Sequence, residues 1–190
     1  VPPPSSNLRV AVIDSVTMRN IEIKATINDP TDVVSRIKQL TDTDCVIINQ
    51  HDTFFKVAEG RLKLRKFKNG SGELIYYKRC NTLGPKLCNY DKAVLEANTC
   101  TEIESILSAS NGCAGIVKKT RQLYMIGQTR VHVDDVEGLG HFLELEVVLT
   151  EEEDTDNGEK IAQDLMTKLG IKAQDLIAEA YVDLLNKSSV

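Results

Sequence analysis

In one stretch after another, this chain alternates aliphatic and charged residues with a period of two. Asn20, Glu22, Lys24 and Thr26 interleave with Ile21, Ile23, Ala25 and Ile27, and Arg61, Lys63 and Arg65 stand opposite Leu62 and Leu64. The same spacing separates Tyr77 from Arg79, Lys119 from Arg121, Arg130 from His132 and Asp134, and Glu144 from Glu146. A period of two marks a β-strand, so each set points to one side of its own strand. Ordinary half-buried strands show water a loose mixture of polar residues, whereas these faces are dense in formal charge. Solvated surface charge would explain any one strand, but six share the pattern, and Glu22-Ile23-Lys24 and Glu144-Leu145-Glu146 are set in aliphatic flanks. If the charged sides converge, the strands close into a barrel with a charged lumen and an apolar outer face covered by helices. Closure also removes unpaired sheet edges. Unpaired buried charge costs several kcal/mol per ion, so such a lumen requires water, a polyanion and a metal. Lys and Arg suit phosphate oxygens, and clustered Glu and Asp suit Mg²⁺ or Mn²⁺ bridging carboxylates and substrate phosphates.

Strands are predicted at 20–27, 45–57, 61–67, 73–79, 116–126, 129–136 and 142–149. Asn69-Gly70, Gly127-Gln128 and the run Gly138-Leu139-Gly140 supply turns. Asp29-Pro30 opens a helix with Val33, Val34, Ile37 and Leu40 at helical spacing. Thr99 and Glu102 form a capping box for a helix over 102–109. Two more helices are expected over 158–169 and 173–186, the first with Ile161, Leu165 and Leu169 on its stripe and the second with Leu176, Ile177, Ala180, Tyr181 and Leu184. Gly170 caps the first of them. This order is α+β, with a mostly antiparallel sheet.

At 190 residues the chain suits one domain, read as 19–187, with 1–18 as a flexible tail. Its first residues lack the basic start and long apolar stretch of a secretory signal. Composition is that of a soluble globular protein, 42% hydrophobic, with no apolar run long enough to cross a bilayer, so no membrane association is expected. A net charge of −5 argues against a nucleic-acid polymer as partner. Basic residues concentrate between Lys56 and Lys92, while 151–156 form an acidic, solvated connection. Five cysteines without a C-x-x-C pair indicate neither a disulfide framework nor a zinc knuckle and fit a reducing cytoplasm. The triplets Asn69-Gly70-Ser71 and Asn186-Lys187-Ser188 carry little weight as glycosylation signals.

Taken in order, a set of motifs resembles a known family. They are Asn20-Ile21-Glu22-Ile23-Lys24, Gln50-His51-Asp52-Thr53-Phe54-Phe55, Gly60-Arg61-Leu62-Lys63-Leu64-Arg65, Gly84-Pro85-Lys86, Lys119-Thr120-Arg121, Thr129-Arg130-Val131-His132-Val133-Asp134, and Glu137-Gly138-Leu139-Gly140 leading to Glu144-Leu145-Glu146. The family is the CYTH superfamily of triphosphate tunnel metalloenzymes, and the likeness is strongest to its class IV adenylyl cyclase-like members. The resemblance implies a closed eight-stranded antiparallel tunnel with helices outside, binding a triphosphate end-on with one or two Mg²⁺ or Mn²⁺ ions. It implies phosphate contacts from Lys24, Lys63, Arg65, Arg79, Lys119, Arg121 and Arg130, metal ligands among Glu22, Asp134, Glu144 and Glu146, and Glu22, Lys24 and Glu146 as catalytic residues. In the family's E-x-E-x-K motif the first Glu is here Asn20, whose amide ligates without charge and should hold an ion more weakly unless the other carboxylates suffice. His132 shares the inward phase of Arg130 and Asp134, as partner of a metal ligand, proton relay or structural residue. His51 and His141 lie beside turns. Tyr76, Tyr77 and Tyr90 either stack on a base or pack, packing being the better reading, and Lys86 is placed in a loop at the tunnel mouth, where it would steer ligand.

Three functions follow. The first is a metal-dependent phosphohydrolase of inorganic triphosphate or of an organic one such as ATP or thiamine triphosphate. The second is an adenylyl cyclase releasing cyclic AMP and pyrophosphate. The third is a polyphosphate- or anion-binding protein whose catalysis is weakened at Asn20. A monomer or homodimer is expected.

Overall fold

The structure, a computed structural model, describes residues 18–188. The tail read at 1–18 lies outside these residues except for Met18, which begins the first strand. The elements run β1 (Met18–Thr26), α1 (Pro30–Leu40), β2 (Val46–Phe55), β3 (Arg61–Lys66), β4 (Gly72–Arg79), β5 (Lys86–Leu95), α2 (Ala97–Ser110), β6 (Cys113–Ile126), β7 (Thr129–Val136), β8 (Gly140–Leu149) and α3 (Thr155–Lys168). A 3-10 turn (Ala173–Asp175) and α4 (Tyr181–Ser188) complete the chain. The strands close into a barrel in the order β1-β5-β4-β3-β2-β6-β7-β8, every neighbouring pair antiparallel. Among the described residues no helix is long and apolar enough to cross a membrane.

The main apolar core lies outside the barrel. The outward aliphatic residues of β1, β7 and β8, among them Ile21, Ile23, Val131, Val133, Leu143, Leu145 and Val147, pack under α1 and α3 through Val33, Ile37, Ala162 and Leu165. Asp29 caps α1, its carboxylate accepting from the backbone N–H groups of Thr31 and Asp32, with Pro30 in the first turn as the sequence suggests. A smaller cluster of Phe55, Leu64 and Cys100 seats α2. A third, built on Phe54, Val117, Phe142, Tyr181 and Val182, seats α4 at one end of the barrel.

Three expectations need correction. The eighth strand, β5, was not read from periodicity, because Leu87, Asn89, Asp91 and Ala93 on its outer face are as mixed as Lys86, Cys88, Tyr90 and Lys92 on its inner one. Lys86, expected in a loop, begins this strand opposite Glu22 and is 4% exposed. Helix α2 starts five residues earlier than predicted, at Ala97, and Glu96 at its N-cap makes no side-chain cap bond, so the Thr99–Glu102 box does not exist. The helix expected over 173–186 is broken between the 3-10 turn and α4. There Ala25 bridges to Leu176 and the Ile177 N–H donates to the Lys24 carbonyl, so β1 claims backbone groups that a continuous helix would use. Gly170, at φ +76°, ends α3 as foreseen.

Because the outward aliphatic layer holds the helices, truncating it should destabilise the fold while leaving the charged lumen of the native state in place. Leu145→Ala is expected to lower stability by about 2–5 kcal/mol in equilibrium denaturation.

Candidate active site

Closure brings the charged strand faces together around a cavity of about 320 Å³. All of the predicted phosphate contacts, Lys24, Lys63, Arg65, Arg79, Lys119, Arg121 and Arg130, line it, as do Asn20, Glu22, Glu144 and Glu146. Cations and carboxylates share the lumen, with Lys24 on β1 and Arg130 on β7 beside the acidic groups and Asp52 on β2 and Glu73 on β4 beside the basic ones. β3, β4 and β6 carry Lys63, Arg65, Arg79, Lys119 and Arg121. β1, β8 and β7, adjacent in the barrel, bring Glu22, Glu144, Glu146 and His132 together, with Glu22 opposite Glu146, Lys24 opposite Glu144 and His132 opposite Glu144.

Within the lumen each charge sits against its complement. Arg121 donates from Nε and Nη2 to the two oxygens of Asp134 at 2.7 and 2.6 Å, and from Nη2 to Glu144 Oε2 at 2.6 Å. Lys24 Nζ lies 3.5 Å from Glu144 Oε1 and 4.0 Å from the centroid of the Tyr181 ring. Arg79 Nε is 3.4 Å from Glu22 Oε1, and Arg130 donates to Glu146 Oε2 at 2.8 Å and to the Tyr90 hydroxyl at 3.1 Å. Burial alone would raise the Glu144 carboxyl, but Lys24 and Arg121 hold it well below the usual range. Asp134 is likewise held low against burial, chiefly by Arg121 and Lys119.

Asp134 does not stand with the other acidic residues. It is fully buried, does not line the cavity, and its oxygens hold Arg121 and accept from the Tyr181 hydroxyl at 3.0 Å, so its geometry is that of an anchor for cations. Two further residues escaped sequence reading. Asp52 on β2 accepts from Lys63 at 3.1 Å and from Arg65 at 2.9 Å; against burial, Arg65 and Lys63 keep its carboxyl well below the usual range. Its inward phase with Gln50 and Phe54 was a usable signal, obscured because β2 carries few charges. Tyr181 arrives from α4, where no strand periodicity could announce it.

Tyr181 belongs to a segment that stops one end of the barrel. Arg79 Nη1 donates to the Ala178 carbonyl at 2.8 Å, Lys86 Nζ to that of Ile177 at 3.4 Å, and Arg61 Nη2 to Asp183 at 2.6 Å. Arg61, in phase with Lys63 and Arg65, is thereby spent on α4. At the opposite end Arg130 and Lys92 have side chains about a third exposed, against 5% for Lys24 beside the stopper. Of the tyrosines, Tyr77 and Tyr90 line the cavity, while Tyr76 donates outside it to the Glu59 carbonyl at 3.2 Å. His51 and His141 are not among the residues lining it.

The acidic wall is short of partners. Asn20 Oδ1, Glu22 Oε1 and His132 Nδ1 are buried without a hydrogen bond, and burial together with neighbouring Glu144 raises the Glu22 carboxyl. Burial and Arg121 lower the His132 imidazole, favouring its neutral form. A cation among these groups would satisfy orphaned acceptors and reverse the penalty on Glu22, so the residues present fit a divalent metal. On the basic side burial and Arg121 bring Lys119 down to about 7.

The CYTH domain model matches residues 18–181. The chain belongs to the CYTH family. A Methanocaldococcus jannaschii protein whose name proposes an adenylate cyclase is 25% identical over 179 residues, 88% of this chain and 98% of that protein. The structure of PH1012 from Pyrococcus horikoshii is also 25% identical, with a TM-score of 0.71 over 87% of this chain and 98% of its own. A Hippeastrum protein, described as an adenylyl cyclase candidate with a dominant triphosphatase activity, shares the CYTH fold at 15% identity and a TM-score of 0.63, covering 89% of this chain and 96% of that one.

Burial and Arg121 pull the Lys119 ammonium down to about 7 against the attraction of Asp134 at 3.6 Å, and an adjacent phosphate would raise its affinity for a proton. Triphosphate binding at pH 8 should therefore take up close to one proton (about one per ligand). Affinity should weaken as pH rises through this range. Calorimetry in buffers of different ionisation enthalpy measures the uptake, and Lys119→Met should remove most of it.

Proposed function

We propose that this chain is a metal-dependent triphosphatase that draws the triphosphate of a small molecule into the closed lumen and cleaves a phosphoanhydride bond with water. One observation carries this reading: the lumen concentrates Lys and Arg suited to phosphate oxygens together with Glu22, Glu144 and Glu146 and buried acceptors that lack a hydrogen bond. Inorganic triphosphate, ATP and thiamine triphosphate are the substrates considered, with no nucleic-acid polymer or membrane as partner. The free cysteines among the described residues fit a reducing, cytoplasmic setting.

Lys63, Arg65, Arg79, Lys119, Arg121 and Arg130 bind and orient the triphosphate, exchanging part of their bonds to Asp52, Glu22 and Glu146 for phosphate oxygens. Asp134 and Asp52 orient Arg121 and Arg65, each through a pair of N–H···O contacts. Glu22, Glu144 and Glu146 would hold Mg²⁺ or Mn²⁺, with Asn20 as a neutral oxygen donor, and the bound ion would polarise the reacting phosphoryl group and lower the pKa of an attacking water. Lys24, between Glu144 and Tyr181, would stabilise negative charge on the leaving oxygens.

A cyclase is the alternative, favoured by the name of the Methanocaldococcus jannaschii relative. A binder with little turnover is the other, favoured by Asn20. Incubation with inorganic triphosphate, ATP and thiamine triphosphate, each with Mg²⁺ or Mn²⁺, separates the three. Phosphate release is the expected result, cyclic AMP with pyrophosphate would establish the cyclase, and thermal stabilisation without products would establish the binder. Glu146→Gln should reduce turnover by about 100-fold or more with the melting temperature retained. Asn20→Glu should lower the metal concentration needed for half-maximal activity.

A further inference from the structure

Of the unsatisfied groups in the lumen, His132 is the hardest to explain as packing. Its side chain is 4% exposed, and Nδ1 has no hydrogen-bond partner. Nδ1 lies 3.9 Å from Glu144 Oε2 and 3.9 Å from Glu146 Oε1, too far for a hydrogen bond to either. A buried histidine with a purely structural role satisfies its ring nitrogens, whereas this one is held by the β7–β8 register at equal distance from two carboxylates. One ligand atom from each of His132, Glu144 and Glu146 lies within 4.8 Å of the others. Metal–ligand bonds of about 2.0–2.2 Å set two donors on one ion about 3–4.3 Å apart, so the two 3.9 Å separations suit a shared ion.

We propose that His132 is itself a metal ligand, forming with Glu144 and Glu146 a nitrogen-containing centre that selects a first-row transition-metal dication, such as Mn²⁺ or Co²⁺, over Mg²⁺. This deepens the metal-dependent reading above and rests on it. Carboxylates alone distinguish Mg²⁺ from Mn²⁺ weakly, because both accept hard oxygen donors. A neutral imidazole is different: Mg²⁺ prefers oxygen and gives up its water reluctantly, while affinity for nitrogen rises along the series from manganese towards copper. Asn20 sharpens the argument. Where the family motif places a carboxylate, this chain has a neutral amide, so less of the ion's binding comes from charge and more must come from donor type.

The test uses the full chain, stripped of metal, without substrate. Mn²⁺ binding is followed by the loss of the free-ion electron paramagnetic resonance signal, Mg²⁺ by competition, and nitrogen coordination by electron spin-echo modulation from ¹⁴N. Wild type should bind Mn²⁺ about 10- to 100-fold more tightly than Mg²⁺ and show imidazole modulation. His132→Asn should lose the modulation and most of the discrimination, with Mg²⁺ affinity changed by less than about threefold. Equal wild-type affinities, or tight Mn²⁺ binding without nitrogen modulation, would overturn the role of His132 while leaving a carboxylate metal centre standing, and both are read on wild type, independently of how the variant folds. Failure of any dication to bind would overturn the metal centre and this inference together.

Discussion

Burying many like charges in one enclosed space is tolerable only if each finds an opposite charge at contact distance, and that requirement organises this barrel. An isolated ion in a low-dielectric interior costs several kcal/mol, and the lumen meets the demand by cross-strand pairing. Arg121 spans Asp134 and Glu144, Asp52 gathers Lys63 and Arg65, and Arg130 rests on Glu146. These pairs depend on register. A shift of one residue in β7 or β8 would send Asp134, Glu144 and Glu146 into the apolar layer beneath the helices and bring aliphatic side chains into the lumen.

The pairs also explain how the lumen can exist before a ligand arrives and still favour one. Most of its cations already hold an anion, so binding exchanges one set of charge-assisted contacts for another instead of creating them from nothing. Where exchange is incomplete the structure shows it. Burial pulls the Lys119 ammonium down and pushes the Glu22 carboxyl up, and Asn20 Oδ1 and His132 Nδ1 have no hydrogen-bond partner. These deficits lie on different strands, Lys119 on β6, Glu22 and Asn20 on β1 and His132 on β7.

Much of this was legible from residue alternation. Strands that combine an aliphatic face with a charged one, such as 20–27 and 142–149, disclose both their structure and the direction of their charges, and the seven basic residues that the family resemblance points to all line the cavity. Legibility failed where a strand's two faces were chemically alike, as in β5, and so Lys86 was assigned to a loop. It failed for Asp52, whose strand is mostly uncharged on its inner side. The C-terminal segment was the least readable part. Its apolar spacing is helical throughout, yet backbone groups at the end of β1 compete for it, and only the folded barrel reveals that Tyr181 is the residue reaching inward.

The placement of the apolar core outside the sheet has a consequence for how such a protein can change over generations. In most globular domains the residues that determine stability and those that surround a ligand compete for the same interior. Here consecutive residues on one strand serve separate tasks: Leu143 and Leu145 anchor helices while Glu144 and Glu146, one step along, face the lumen. Chemistry can therefore drift by exchanging alternate positions with little disturbance to the layer that keeps the molecule folded.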